Sequence, residues 1–214
     1  MNYDKIIAGA EDYIAELFRN DSGGHDVEHT LRVRRLAMRL ADGESGCDRA
    51  IVELAALLHD ADDHKLFHTE NNRNARDFLE RNGVGADKAD RICAVINSVS
   101  FSKNRGHVPD TVEGKIVQDA DRLDAIGAVG VARTFAYGGE HGRPLSESVR
   151  HFHEKLLLLR DMMNTKTAKK IAAERHALME TFLEELEREL AGSDGPADSG
   201  RRQLRHSPRK SHIT

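Results

Sequence analysis

Tryptophan is absent from this 214-residue chain, and aromatic residues make up only 5% of it. The core must therefore come from Leu, Ile, Val, Ala and Met, a palette that suits packed helices better than a β-sandwich. There are two cysteines, Cys47 and Cys93, with no CxxC arrangement. That speaks against a disulfide framework and a thiolate zinc site, and it fits a cytoplasmic protein. No apolar run approaches the roughly 20 residues of a membrane span. The amino-terminal stretch MNYDKIIAGAEDYIAELF is broken by charge where a secretory signal would be apolar. Internal repeats, a GxGxxG turn and a Walker-type loop are missing as well. The formal net charge of −4 gives no global attraction to nucleic acid or anionic membrane, so any anionic substrate has to be held locally.

What is present reads as one soluble, all-α domain over residues 1–190, with 39% hydrophobic and 32% charged residues. Apolar residues at helical spacing predict a first helix over 3–19, and Asn20 to Gly24 break it. A second helix follows with Leu31, Val33, Leu36, Ala37 and Leu40 on its apolar face and Asp26 as its cap. Asp48 caps a third helix over Ile51–Asp60, and two more are expected over Asn71–Arg81 and Ala86–Val99. From Thr111 the pattern predicts a single long, well-buried helix, followed by helices over Leu145–Met163 and Ala168–Leu190. Residues 191–214 lose periodicity and carry five basic residues (Arg201, Arg202, Arg205, Arg209, Lys210) against Asp194 and Asp198. They read as a disordered, weakly basic tail.

The informative stretch is LAALLHDADDHK, Leu54 to Lys65. Its apolar run leads straight into His59 and Asp60, where an ordinary core helix would go on burying aliphatics. Helical neighbours point about 100° apart, so both reach one object only if it lies in the wedge between them, which a small divalent cation can do. His29 falls early on the preceding helix. Three acids, Asp119, Asp121 and Asp124, are embedded in the long apolar helix. A buried carboxylate there needs a cation or hydrogen-bond donors.

His29 in HDVEHTLRV, the adjacent His59 and Asp60, and a later acid in QDADRLDAIG resemble the H…HD…D signature of the HD-domain metal-dependent phosphohydrolase superfamily. The likeness runs from residue 20 to about 190 through the phrases SFSKNRG, GRPL and HFHEKLLLLRDMMNTKTAKKIA. It is strongest to the small stand-alone bacterial HD hydrolases, which include nucleotide pyrophosphohydrolases. The resemblance implies an all-α HD-domain bundle, one divalent metal, and His29, His59, Asp60 and Asp121 as its ligands. Asp119 and Asp124 are the alternatives for the last position.

Two imidazoles and two carboxylates suit Mn²⁺, Mg²⁺, Co²⁺ or Fe²⁺ and leave positions open for water and a phosphoryl oxygen. The expected substrate is a small phosphorylated metabolite, with nucleoside triphosphates the favoured class through the resemblance. No membrane or nucleic-acid partner is expected, and a homo-oligomer is compatible with the sequence. Asp63 is a candidate to orient or deprotonate the attacking water, and Lys65 to meet a phosphate. Lys103, Arg105, His107 and Arg122 are candidate substrate-binding residues. The alternatives are a di-iron HD-type oxygenase, whose extra ligands would come from His64, His68 or His107, and a non-catalytic nucleotide-sensing module.

Overall fold

The computed structural model describes residues 2–19, 27–64, 66–101, 104 and 106–192. Among them the chain forms nine α-helices and no strand: α1 (Tyr3–Leu17), α2 (Val27–Ala41), α3 (Arg49–Leu58), α4 (Arg73–Arg81), α5 (Ala86–Val99), α6 (Val112–Asp124), α7 (Gly127–Glu140), α8 (Leu145–His151) and α9 (Lys166–Leu190). The all-α expectation holds. Asp26, expected to cap α2, and residues 193–214 of the expected tail lie outside the described residues.

The centre of the bundle is α3. Ile51, Val52, Leu54, Ala55, Ala56, Leu57 and Leu58 are all fully buried, because α1, α2, α5 and α6 pack around the helix. A helix whose only charged residues are Arg49 and Glu53 needs such a shell. Asp48 starts it by accepting hydrogen bonds from the N–H groups of Ala50 and Ile51. α2 lies against both α3 and α6, so the helices that bear His29 and Asp121 and the one that leads into His59 are mutual neighbours.

Four boundaries depart from expectation. α3 stops at Leu58, which places His59 and Asp60 in the turn that leaves it rather than inside the helix. α4 begins at Arg73, after Asn71 and Asn72, both left-handed at φ 56°. Asp62 supplies its missing cap, accepting hydrogen bonds from the Asn74 and Ala75 N–H groups and the Thr69 hydroxyl. The segment expected as one helix over Leu145–Met163 loosens after His151 into a π turn over Phe152–Leu156 and a 3₁₀ turn over Leu157–Met162.

The fourth departure is the largest: the long helix from Thr111 is two helices. Ile126 is extended, anchored in the core at 1% exposure, and Gly127 follows in the left-handed region at φ 79°. A Cβ on Gly127 would run into the Arg175 side chain, and one on Gly130 would fall 2.3 Å from the Ala125 carbonyl oxygen. Apolar spacing continues through the break, so periodicity alone reads straight across it. Gly130→Ala is expected to lower stability by about 1–3 kcal/mol, as overpacking against rigid backbone does. An unchanged urea midpoint for that variant would contradict this account of the break.

A candidate metal centre at the end of α3

At the carboxyl end of α3 four side chains converge. His29 Nε2 lies 3.5 Å from both Asp60 Oδ2 and Asp121 Oδ1. His59 Nε2 lies 3.3 Å from Asp60 Oδ2 and 3.9 Å from Asp121 Oδ1. With metal–ligand bonds of about 2.1 Å, the edges of a coordination polyhedron measure roughly 3.0–3.4 Å, so these atoms stand near the separations that a shared cation imposes. One ligand atom each from His29, His59 and Asp121 falls within 4.8 Å of the others. His59 Nε2 is buried with no hydrogen bond, a cost that a coordinate bond would remove.

The opposite edge of each imidazole is fixed. His59 Nδ1 sits 2.9 Å from the Ala56 carbonyl oxygen, and His29 Nδ1 sits 2.8 Å from Asp124 Oδ2. Both contacts favour a proton on Nδ1 and a lone pair on Nε2, the tautomer that a metal ligand needs. Asp124 also accepts two hydrogen bonds from Arg32 and one from Arg133. Burial opposes its charge, but His29 and Arg32 hold its carboxyl well below the usual carboxylate range. Asp119 is saturated too, accepting from the backbone N–H groups of Asn164 and Thr165 and from the Asn164 amide. The two alternative acids are thus committed elsewhere, while Asp121 keeps a quarter of its side chain exposed in the cavity.

Burial also works against charge on His59, but Asp60 beside it, together with Asp121 and the Ala56 carbonyl, pushes its pKa up to about 9. His29 shifts in the same direction: burial opposes, and hydrogen bonds to Asp124 and Asp60 prevail. The folded-state pKa of His59 lies above its ordinary value of 6.5, so its contribution to the metal-free protein is complete below pH 6.5 and lost as pH rises through about 9. A metal ion competes with those protons and binds more tightly as pH rises. Chelated protein should therefore melt at falling temperature from pH 6.5 to 9, while the stabilisation by added Mn²⁺ grows. Parallel melting curves with and without metal would exclude this linkage.

The cluster opens into a cavity of about 610 Å³, within the range of small-molecule sites. Asp63, His64 and Arg122 line it. Arg122 is 3% exposed; its Nη1 donates to the Met162 carbonyl, and its Nε and Nη2 are buried without a hydrogen bond. His107 is exposed and stands outside the lining; its backbone carbonyl accepts from the Gln118 amide and its N–H donates to the Asn104 carbonyl. Lys65, Lys103 and Arg105 lie outside the described residues. His68, a candidate ligand of a second metal, is exposed and does not line the cavity either.

Three lining cations were not anticipated: Arg133, Arg143 and Lys155. Lys155 lies 4.8 Å from the Phe101 ring centre and Arg143 5.1 Å from that of Tyr137. Arg143 and Lys155 belong to the phrases GRPL and HFHEK, which carried signal as part of the resemblance without being singled out. Arg133 could be found only by recognising the break at Gly127. His151 also lines the cavity, whereas its neighbour His153 turns to Glu187 at 3.2 Å.

Against known proteins, the family described as HD domain matches residues 26–126. YpgQ of Bacillus subtilis, an uncharacterized protein, is 44% identical over 191 residues, spanning 85% of this chain and 92% of that protein. The crystal structure of YpgQ in complex with ADP superposes with a TM-score of 0.78 at 38% identity, over 91% of this chain and 100% of that one. An HD-superfamily hydrolase from Bacillus thuringiensis gives a TM-score of 0.74 at 38% identity, over 89% and 99%. Fold, family match and these relatives agree that the chain belongs to the HD-domain superfamily, beside stand-alone bacterial members such as YpgQ.

Proposed function

We propose that the protein is a metal-dependent phosphohydrolase acting on a small phosphorylated metabolite, with a nucleotide, first among them a nucleoside triphosphate, as its substrate. The observation that carries this reading is the group of His29, His59 and Asp121, with Asp60 set against both imidazoles, at the wall of a cavity that also presents cations. Two carboxylates and two neutral imidazoles balance the charge of one divalent ion, and a donor set of nitrogen and oxygen without sulfur suits Mn²⁺, Mg²⁺, Co²⁺ or Fe²⁺. When bound, such an ion polarises a phosphoryl group and makes water acidic enough to attack at neutral pH.

The chain's own residues supply the rest. Asp63 lines the same cavity and is the candidate acceptor of the proton given up by the attacking water. Arg122 brings a buried guanidinium with two nitrogens lacking partners, and a phosphoryl oxygen would satisfy them. Arg143 and Lys155 add positive charge farther along the wall, where they would oppose the remaining phosphate oxygens. The complex of YpgQ with ADP supports a nucleotide as the class of ligand. No helix among the described residues is long and apolar enough to cross a membrane, in keeping with a cytoplasmic enzyme that meets diffusible substrates. In this reading residues 1–190 form the catalytic domain and 191–214 a weakly basic tail.

The test is a set of phosphorylated metabolites incubated with the purified protein and Mn²⁺ or Mg²⁺, with products separated by chromatography. Release of pyrophosphate rather than orthophosphate identifies the bond that is cut. His59→Ala and Asp60→Ala are each expected to abolish metal retention and to lower hydrolysis by more than about a hundredfold, beyond what a change outside the ligand set costs. Circular dichroism should show helical content largely intact. Full activity in either variant would refute the assignment.

A further inference from the structure

Asp124 is buried behind His29 and meets three donors. Arg32 binds it through two bonds: Nε donates to Oδ1 at 2.8 Å and Nη2 to Oδ2 at 3.1 Å, the paired geometry in which a guanidinium binds a carboxylate most strongly. Arg133 reaches the same carboxylate from another side, with Nη1 2.7 Å from Oδ2 and 3.1 Å from His29 Nδ1. The two arginines also differ in place: Arg133 lines the cavity with a third of its side chain exposed, and Arg32 does not line it.

Local architecture aims Arg133 there. After the break at Ile126–Gly127, α7 turns Gly130, Arg133, Thr134 and Tyr137 into the cavity wall, the i, i+3, i+4, i+7 face of one helix. Gly130, where a side chain would strike the Ala125 carbonyl, holds this face close to the end of α6.

We infer that Arg133 contacts the substrate's phosphate, and that Asp124 is the positioning residue that sets both this guanidinium and the His29 imidazole. This rests on the phosphohydrolase reading and deepens it. A single carboxylate oxygen, Oδ2, receives His29 Nδ1 at 2.8 Å and Arg133 Nη1 at 2.7 Å, so the ligand that orients toward the metal and the cation that grips the anion share one anchor. Displacing that anchor disturbs both, whereas removing the Arg133 guanidinium disturbs only the anion.

The test uses inorganic tripolyphosphate with chelator-treated protein and Mn²⁺ alone with the metal-free protein, both read by calorimetry, alongside steady-state kinetics of the loaded enzyme. Arg133→Gln is expected to weaken tripolyphosphate binding about tenfold or more, as loss of a charged hydrogen-bonding group does. Its Mn²⁺ affinity should change less than about threefold, with KM raised more than kcat is lowered. Arg133→Lys should recover part of the binding, and it carries the same test should the glutamine variant not fold. Asp124→Asn is expected to weaken Mn²⁺ and tripolyphosphate together, each by about tenfold or more. Unaltered tripolyphosphate affinity in Arg133→Gln, with hydrolysis by the parent protein intact, would overturn the inference and leave the hydrolase reading standing. A fall in Mn²⁺ affinity as deep as that of Asp124→Asn would also overturn it, by making Arg133 a prop for His29. A parent protein that neither binds tripolyphosphate nor hydrolyses any phosphorylated metabolite would remove both.

Discussion

Asp60 and Asp121 face the same two imidazole edges at separations of 3.3–3.9 Å, at the end of the most buried helix of the bundle. Both carboxylates thus bear on one pair of buried imidazoles, and the negative charge gathered there calls for a positive group between them. Something positive must join them. In the metal-free protein protons on His29 and His59 serve, which is why both pKa values rise; a divalent ion does the same at the cost of those protons. The packing of α2, α3 and α6 is what brings these groups together.

A second layer keeps the first in register. Each imidazole is oriented from behind by an acceptor, Ala56 or Asp124, so neither ring can turn without breaking a buried hydrogen bond. Asp62, two residues past Asp60, ties the loop that leaves the site to the start of α4. The acids of α6 divide their labour by the side they face: Asp121 toward the cavity, Asp124 toward His29 and the arginines, Asp119 toward the start of α9.

That division marks the limit of what the residues disclose in order. The amphipathic periods of α1, α2, α5 and α9, the cap Asp48, and the out-of-place His59–Asp60 pair are local properties, legible from spacing. Asp119, Asp121 and Asp124 look alike in sequence because their roles depend on what packs opposite, information held by helices more than 40 residues away. The break at Gly127 hides for a similar reason: apolar positions keep helical spacing across it, and only the Arg175 side chain and Ala125 carbonyl show why glycine is needed. Without that break Arg133 reads as one more solvated charge on a long helix.

α6 and α9 cap each other. Asp119 of α6 takes the N–H groups that open α9, and Arg175 of α9 donates to the Leu123 carbonyl at the close of α6. The region matched to the HD family ends at residue 126, yet the helix that carries Asp121 is fastened on either side of that aspartate, at Asp119 and Leu123, by the last of the described helices and its cap. The shared signature is therefore not a self-sufficient fragment here. Cut at its boundary, it would keep every proposed ligand while leaving Asp119 as a bare charge in an apolar seam, so the functional unit is set by where that charge is answered rather than by where the sequence motif stops.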